Sequence, residues 1–308
     1  MTASTVSAPK PELVVISGKG GTGKTSIVAS LAILADDAVL VDCDVDAADL
    51  YLLLSPDVVR FEKFFSGRVA SIQDDVCIAC GECVEHCRYD AIRTNDGNGG
   101  GPLFSVDPIA CEGCGVCVRF CPVEAIEFPD RLCGEWFVSD TRAGPMVHAR
   151  LGAAAGNSGK LVSTVRTEAQ QVAARSQKSV IVIDGPPGVG CPVIASVTGT
   201  SLVLVITEPT VSGEHDLERV LQLTKHFRVP SAVCVNKWDV NPSMAERIER
   251  VATDAGAVVA GRVCYDEKVT SAQLRAKAAV EVGGDAADDI RKLWQNLQTI
   301  GSSHGIQL

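Results

Sequence analysis

A glycine-rich run near the start of the chain has the residue types and the spacing needed to hold phosphate. It reads Gly18-Lys19-Gly20-Gly21-Thr22-Gly23-Lys24-Thr25 and is followed by Ser26. Glycines let the backbone wrap closely, so that successive N–H groups point at phosphate oxygens, and a following helix adds its positive end. In this pattern Lys24 contacts the β- and γ-phosphates, and the Thr25 hydroxyl is a ligand of Mg²⁺. The run predicts a nucleotide site, and its alternative is a glycine-rich turn that binds nothing.

Eight of the thirteen cysteines form a second set with the spacing for chemistry. They make two runs of the pattern C-x2-C-x2-C-x3-C: Cys77, Cys80, Cys83 and Cys87, then Cys111, Cys114, Cys117 and Cys121. Thiolates at such short intervals converge on one metal centre from a single loop. Zinc sites also use C-x2-C pairs, but the duplicated runs of three close cysteines favour iron–sulfur clusters.

The elements around these residues follow the pattern of a parallel sheet with crossover helices. Apolar strands are predicted at 13–17, 38–42, 180–184, 201–207 and 231–236, with a sixth at 257–262, and helical segments at 26–35 and 214–227. We therefore expect an α/β fold, in which a mostly parallel sheet is flanked by helices and a small α+β module is inserted. The ATPase-like domain would comprise 1–70 and 129–308, with 1–10 disordered, and the module 71–128. The glycine-rich stretch 95–102 is expected to be a loop, and 133–159 shows little period.

Composition narrows the classes of protein that the chain can represent. The 308 residues are 46% hydrophobic and 21% charged, which is typical of a globular protein, and the net charge is −10. Because no apolar run approaches the ~20 residues of a membrane span, and because so acidic a chain is poorly suited to nucleic acid, we expect neither partner. The protein is expected in the cytoplasm, where thiols bind metal rather than form disulfides.

The early lysine of the glycine-rich run carries a family resemblance. The run resembles the deviant Walker A loop of the MinD, ParA and Mrp ATPases and of the nitrogenase iron protein. The resemblance implies an ATP-dependent homodimer in which Lys19 reaches the nucleotide of the opposite subunit and stabilises phosphoryl charge, as an arginine finger does. The alternative is that Lys19 is a solvent-exposed loop lysine.

Two further segments resemble the switches of that family. Asp42 and Asp44 match an Asp-x-Asp motif, which implies that Asp44 orients the attacking water and that Asp42 lies near the Mg²⁺ ion. The stretch 184–190 is similar to the Asp-x-Pro-Pro-Gly of Mrp-type proteins. By that resemblance Asp184 acts on Mg²⁺ through water, and Gly188 supplies an N–H group near the γ-phosphate.

The resemblance extends to the base of the nucleotide. Asn236 and Lys237 look like the pair that contacts adenine in this family, and the loop containing Asp266 falls where a second base-contacting loop is expected. Many relatives have proline at the position of Cys264.

The cysteine runs resemble bacterial ferredoxins with two clusters, in which the fourth cysteine of each run serves the other cluster. That rule assigns Cys77, Cys80, Cys83 and Cys121 to one 4Fe-4S cluster, and Cys111, Cys114, Cys117 and Cys87 to the other. Pro122 follows Cys121 as the ferredoxin pattern requires, whereas Arg88 stands in place of the proline after Cys87.

Together the motifs resemble MinD-superfamily ATPases that carry an inserted ferredoxin domain. We therefore expect a Mg-dependent ATPase, using ATP/ADP, Mg²⁺ and two 4Fe-4S clusters, whose switches control electron transfer or partner docking. The alternatives are an ATPase that assembles or carries metal clusters, and a positioning ATPase of the MinD or ParA kind. Because residues 71–128 hold ten acidic and three basic residues, the redox or cluster-binding partner is expected to have a basic docking surface.

Overall fold

The computed structural model describes residues 9–96, 102–152 and 155–308. Most of the expected disordered segment 1–10 and of the expected loop 95–102 lies outside the described residues. The described strands are β1 (Glu12–Ser17), β2 (Ala38–Asp42), β3 (Asp57–Arg68), β4 (Ser71–Ile72), β5 (Ile92–Asp96), β6 (Pro102–Val106), β7 (Ile126–Glu127), β8 (Asp130–Thr141), β9 (Gly144–Leu151), β10 (Val180–Pro187), β11 (Leu202–Thr207), β12 (Ser231–Asn236) and β13 (Val258–Val263).

Helices connect most of the strands of the main sheet. The described ones are α1 (Lys24–Leu34), α2 (Leu50–Leu54), α3 (Glu82–Glu85), α4 (Val116–Phe120), α5 (Ser158–Arg175), α6 (Cys191–Val197), α7 (Val211–His226), α8 (Pro242–Asp254), α9 (Glu267–Gln273), α10 (Ala279–Val282) and α11 (Asp285–Ser303), with a short 3-10 helix at Trp238–Val240. Among the described residues, none of these helices combines the length and the apolar character that crossing a membrane requires.

The main sheet has nine strands in the order β13-β12-β11-β1-β10-β2-β9-β8-β3. The central pairs β11-β1, β1-β10 and β10-β2 are all parallel. The prediction of a mostly parallel α/β sheet is confirmed, and all six predicted strands are present. Their ends differ by a few residues, chiefly because β10 continues through Asp184 to Pro187.

The apolar runs of the central strands are explained by burial on both faces of the sheet. Leu13 and Val15 in β1 belong to a core that includes side chains of α1 and α11. Val14 and Ile16 alternate with them and are also fully buried, so they point to the opposite face. Such strands have no polar face, as expected for a parallel sheet covered by helices.

Strand order brings the predicted nucleotide residues to one edge of the sheet. Asp184 in β10 is paired in register with Asp42 in β2, and Val15 in β1 is paired with Asp184. The glycine-rich run leaves β1 at this same edge. Carboxyl ends of adjacent parallel strands are the usual position of ligand sites in α/β sheets.

The stretch 133–159, where little period is present in the sequence, contains most of β8, all of β9 and the start of α5. Many side chains in β8 are partly exposed on both faces rather than alternately buried and exposed. A period of two is the main sequence signal of a strand, and this strand lacks it.

The chain divides into two compact units. Unit 1 comprises Met1–Glu62, Trp136–Arg150 and Ser158–Leu308, and unit 2 comprises Lys63–Glu135 and Leu151–Asn157. Unit 2 contains the antiparallel pairs β4-β7 and β5-β6. Its small core is formed by Ala70, Cys83, Ile92, Phe104 and Ile126. An Ala-Ile pair follows each cysteine run, at 91–92 and at 125–126. The isoleucine of each pair belongs to this core and begins a strand.

Candidate functional site

The glycine-rich loop is fixed to unit 1 by contacts with the end of β12. Asn236 Nδ2 donates a hydrogen bond to the carbonyl oxygen of Thr22 at 2.7 Å. Gly23 has a φ of 83°, and a Cβ atom there would lie 2.4 Å from the same Nδ2 atom. Only glycine fits both constraints. Helix α1 begins at Lys24, two residues earlier than predicted, so its N-terminal N–H groups border the loop.

Lys24 lies among three carboxylates in the absence of nucleotide. Its Nζ atom is 2.5 Å from Asp184 Oδ1 and 3.6 Å from Asp44 Oδ2. Asp42 accepts hydrogen bonds from the backbone N–H groups of Asp44, at 3.0 Å, and Leu50, at 3.2 Å. Lys24 and the predicted residues Asp42, Asp44 and Asp184 are therefore brought together, whereas Lys19 lies elsewhere.

Acidic side chains outnumber basic ones around Lys24. Burial opposes ionisation of Lys24, but the neighbouring carboxylates, Asp184 foremost, outweigh it and raise the pKa of the ammonium. Burial raises the pKa of Asp44 to about 6, although Lys24 opposes the shift. Burial, followed by the charge of Asp184, also raises the pKa of Asp42 well above its usual value. Three acids facing one cation favour the entry of a further cation.

The donor set fits a magnesium ion. Asp184 Oδ2 is buried and has no hydrogen-bond partner among the residues that the structure describes, whereas both oxygens of Asp42 are engaged by backbone N–H groups. Buried polar atoms without partners are rare and call for an explanation. Carboxylate and hydroxyl oxygens are the ligands that Mg²⁺ prefers. Asp184 is thus the most available carboxylate ligand, with Thr25 at the start of α1.

The segment that resembles the second switch, 184–190, begins within the last residues of β10. Gly188 has a φ of 90°, and its N–H group donates a hydrogen bond to the carbonyl oxygen of Ser17 at 2.8 Å. Ser17 is the last residue of β1 and directly precedes the glycine-rich loop. The backbone of Gly188 is therefore held beside the loop in which phosphate is predicted.

A cavity of about 230 Å³ lies next to the loop. Its walls include Asn236, Lys237, Tyr265 and Asp266 from the two predicted base-contacting segments, and Gly21, Gly23 and Ser26 from the glycine-rich loop and α1. The Asp266 carboxylate accepts hydrogen bonds from the N–H groups of Lys268 and Ala286, which begin α9 and α11. In this geometry Asp266 shapes the wall of the cavity by capping helices. Gln273, which the sequence did not single out, also lines the cavity and donates to Ser26 Oγ at 2.7 Å.

Lys19 is held by residues of its own chain. Its Nζ atom is 2.6 Å from Glu208 Oε1 and donates to Ser212 Oγ at 2.9 Å. The other carboxylate oxygen of Glu208 is 3.5 Å from Lys237 Nζ. Burial opposes ionisation of Glu208, but Lys19 and Lys237 outweigh it and hold its pKa below the usual value. Sequence reasoning missed Glu208, although a carboxylate directly after a parallel strand was a usable signal.

Unit 2 contains two cavities lined by cysteines. One is lined by Cys77, Cys80, Cys83 and Cys121, and the other by Cys87, Cys111, Cys114 and Cys117. Each cavity thus combines three cysteines of one run with the fourth cysteine of the other run. These groups have the same members as the two predicted ligand sets, and cluster binding by them remains a prediction.

The two cysteine loops follow the same backbone path. Ala79 and Gly81 in the first run have φ values of 57° and 84°, and their counterparts Gly113 and Gly115 have values of 66° and 73°. At Gly113 a Cβ atom would lie 2.3 Å from the carbonyl oxygen of Arg68. The duplication seen in the sequence is therefore also a duplication of conformation.

The spacing of the thiols bears on the kind of metal centre that they could hold. Within 9–96, 102–152 and 155–308, no group of three or more His, Cys, Asp or Glu side chains is placed to hold one metal ion. A zinc ion would draw four thiolates to within about 2.3 Å of a single point. Here the thiols surround cavities, and the Ala125 N–H group donates to Cys121 Sγ at 3.2 Å. The donor set of four cysteines at each cavity fits a 4Fe-4S cluster, whose binding stays a prediction.

Comparisons with known proteins match most of the length of this chain. Residues 13–280 match the family described as the CobQ/CobB/MinD/ParA nucleotide binding domain. Protein MJ0578 of Methanocaldococcus jannaschii is 38% identical over 236 residues, which are 75% of this chain and 79% of that protein. Protein MJ0579 of the same organism is 23% identical over 233 residues, which are 74% of this chain and 81% of that protein.

Solved structures share the fold at low sequence identity. The cell division ATPase MinD of Pyrococcus furiosus is 17% identical, with a TM-score of 0.54 over 94% of this chain and 99% of that one. MinD of Pyrococcus horikoshii, solved with Mg-ADP, is 15% identical, with a TM-score of 0.55 over 96% and 98% of the two chains. These likenesses support the fold alone, whereas the match over residues 13–280 covers most of the chain. The chain therefore belongs to the CobQ/CobB/MinD/ParA family of nucleotide-binding domains.

Proposed function

We propose that this protein is a Mg-dependent ATPase whose nucleotide cycle controls a ferredoxin-like module with two 4Fe-4S clusters, for electron transfer or for docking of a partner. The observation that carries the proposal is the pair of cavities in unit 2, each lined by four cysteines from both runs. Each bound cluster would accept and release single electrons. The nucleotide site of unit 1 supports the ATPase half of the proposal.

The residues around Lys24 divide the work of ATP hydrolysis among them. Lys24 would exchange Asp184 for the β- and γ-phosphates, and Asp44, 3.6 Å from Lys24, would orient the attacking water. Thr25, Asp42 and Asp184 would hold Mg²⁺, which supplies positive charge against the phosphates. The Gly188 N–H group would exchange its hydrogen bond with the Ser17 carbonyl for one with the γ-phosphate, and Asn236, Lys237 and the loop at Asp266 would receive the base.

A chain of hydrogen bonds in unit 1 supports control of the module by nucleotide. Asp42 joins the switch to the start of α2 through the Leu50 N–H group, and Arg142 Nη2 donates to the carbonyl oxygen of Leu53 in α2 at 2.7 Å. The chain enters unit 2 through β3, which follows α2, and returns through β8, which ends beside Arg142. Two of the four points at which the chain passes between the units therefore lie in strands that adjoin this chain of hydrogen bonds.

The test is the reduction potential of the clusters with ATP, with ADP and without nucleotide. We expect the potential to differ by about 60 mV between ATP and ADP, because a coupling of about 1.4 kcal/mol is ordinary for linked sites. In Asp44→Asn, hydrolysis should fall by about 10³-fold, and the potential should stay at its ATP value. Redox titration followed by low-temperature EPR, with ATPase assays on the same sample, measures both quantities.

The control is Asp46→Asn, which makes the same change of charge at an exposed residue of the same loop. It should leave hydrolysis and potential at the wild-type values. If ATP, ADP and Asp44→Asn all leave both the cluster potential and the affinity for a partner unchanged, the proposed coupling is wrong.

A basic partner is expected to bind unit 2 with an affinity that depends on salt. The exposed residues Asp74 and Asp75 lie shortly before Cys77 in the chain. The 71–128 segment carries seven of the ten net negative charges. With a basic c-type cytochrome as the probe, calorimetry should show affinity falling about tenfold from about 50 mM to about 500 mM salt.

The double variant Asp74→Asn/Asp75→Asn should weaken binding at low salt. The control variant Glu218→Gln/Glu246→Gln makes the same change of charge in unit 1 and should leave the affinity unchanged. Binding that does not depend on salt would contradict the proposal.

A carrier of metal clusters is the second candidate. Cys80 and Cys114, one at each cavity, are exposed, so an acceptor protein could reach a sulfur ligand of each cluster. A carrier should deliver a cluster quantitatively to an apo-acceptor, and an electron-transfer module should keep both clusters throughout the same incubation.

A further inference from the structure

One carboxylate restrains two lysines that the nucleotide site is expected to use. Glu208 directly follows β11, at the sheet edge where the glycine-rich loop leaves β1. Its two oxygens lie 2.6 Å from Lys19 Nζ and 3.5 Å from Lys237 Nζ. The side chain of Glu208 is 17% exposed, so the ion pairs are only partly screened by solvent.

We propose that Glu208 is a positioning residue, which holds Lys19 on its own subunit until ATP binds. The inference rests on the proposed ATP-dependent dimer, in which Lys19 must leave this position to reach the nucleotide of the other subunit. In the structure Lys19 contacts Glu208 and Ser212 of its own chain, so it must break both contacts to reach a second subunit. Removal of the Glu208 charge should release it.

Lys237 lowers the free-energy cost of releasing Lys19 from Glu208. A carboxylate left without a partner after partial burial is costly, and much of the loss on breaking such a pair comes from the charge that remains. When Lys19 leaves, Glu208 still has Lys237 on its other oxygen. The triphosphate of the partner subunit, with several negative charges, attracts Lys19 more strongly than a carboxylate shared between two lysines does. The arrangement therefore permits exchange of Lys19 without leaving an isolated charge.

The reactivity of Lys19 in the nucleotide-free protein tests the restraint directly. Acylation by acetic anhydride requires that the reagent reach the amine nitrogen, which in the structure is engaged by Glu208 and Ser212. We expect Glu208→Gln to raise the acylation rate of Lys19 about fivefold, as read by mass spectrometry against the exposed Lys225 in the same chain. Glu208→Asp, which retains the charge, should react more nearly like the wild-type protein. Glu218→Gln, an exposed glutamate on α7, should leave the rate unchanged.

Association measures the consequence of release. With Mg-ATP, analytical ultracentrifugation should show a dimer dissociation constant about 25-fold lower in Glu208→Gln, since two restraints of about fivefold are removed. ATP binding measured at protein concentrations well below the dimer dissociation constant should change by less than about twofold, because Lys19 acts on the other subunit's nucleotide.

The outcomes separate this inference from the function on which it rests. If acylation of Lys19 is the same in Glu208→Gln and the wild-type protein, the restraint is refuted, whether or not ATP causes dimers. If acylation rises and no variant dimerises with ATP, the restraint stands and the proposed dimer fails. If the wild-type protein dimerises and Glu208→Gln dimerises less well, Glu208 supports the dimer instead of opposing it, and the inference is overturned.

Discussion

Replacement of Lys19 by alanine is expected to lower ATP turnover by about 10³-fold or more, while ATP still binds. The side chain of Lys19 is 32% exposed, whereas that of Lys24 is 7% exposed. Lys24 is therefore confined to its own site, and Lys19 is placed at the surface of the loop, where it can reach outward. A cation that contacts phosphoryl charge only in the reacting complex lowers kcat far more than it lowers affinity. Steady-state ATPase rates and equilibrium nucleotide binding measure the two effects.

A mixture of two inactive proteins shows whether Lys19 acts on the other subunit. Asp44→Asn keeps Lys19 and lacks the water-orienting carboxylate, and Lys19→Ala has the opposite defect. In a mixed dimer, Lys19 of the first protein would reach the nucleotide of the second, which retains Asp44. An equimolar mixture should recover about a quarter of the wild-type rate, since half of the dimers are mixed and each has one complete site.

A lysine at the other end of the sheet provides the control. Lys225 is exposed in the last turn of α7, and Lys225→Ala should retain the wild-type rate. No recovery in the mixture would mean that Lys19 works within its own subunit. A loss of less than about tenfold in Lys19→Ala would remove it from the catalytic group.

The parts of the nucleotide site that the sequence predicts are those governed by local rules. Strand β1 is fully buried and apolar from Leu13 to Ile16, and the glycine-rich pattern ending in Lys24-Thr25 follows it directly, so the loop could be placed without knowledge of the fold. The start of α1 was misplaced by only two residues. Asp184 was found because it ends such an apolar run.

Glu208 and β8 could not be predicted, for different physical reasons. The contact of Glu208 with Lys19 joins residues far apart in the chain, and it depends on β11 lying next to β1. Strand order arises from packing of the whole sheet and has no local signature. In β8 the side chains lack regular alternation between buried and exposed faces, so the hydrophobic period that identifies strands is missing.

The cysteine groups at the two cavities of unit 2 could be predicted only in part from local sequence. The cysteine spacing predicts three members of each group, because they share one loop. The fourth comes from the other run, and only the ferredoxin rule supplied it. In the structure Cys121 lines the cavity of the first run, and Cys87 lines that of the second. The exchange of fourth cysteines is therefore the part of the assignment that most needs a chemical test.

Loss of Cys121 is expected to remove the cluster of the first run and to leave that of the second. Anaerobically purified wild-type protein should hold about eight irons per chain, and Cys121→Ser about four, because a 4Fe-4S cluster needs all of its thiolates for stable binding. Cys87→Ser should likewise retain about four irons, on the other cluster. Iron analysis and EPR of the reduced protein measure the loss, and the spin coupling between two reduced clusters should vanish in both variants.

Pairs of substitutions decide between exchanged and unexchanged ligands. Cys80 and Cys121 line the same cavity, so the double variant should lose nothing beyond either single variant and keep about four irons. Cys114 and Cys121 line different cavities, so their double variant should lose both clusters. If each run held its own cluster, these two results would be reversed. Cys191→Ser, at an exposed cysteine of unit 1, should keep about eight irons and shows that loss of a thiol alone does not strip the clusters.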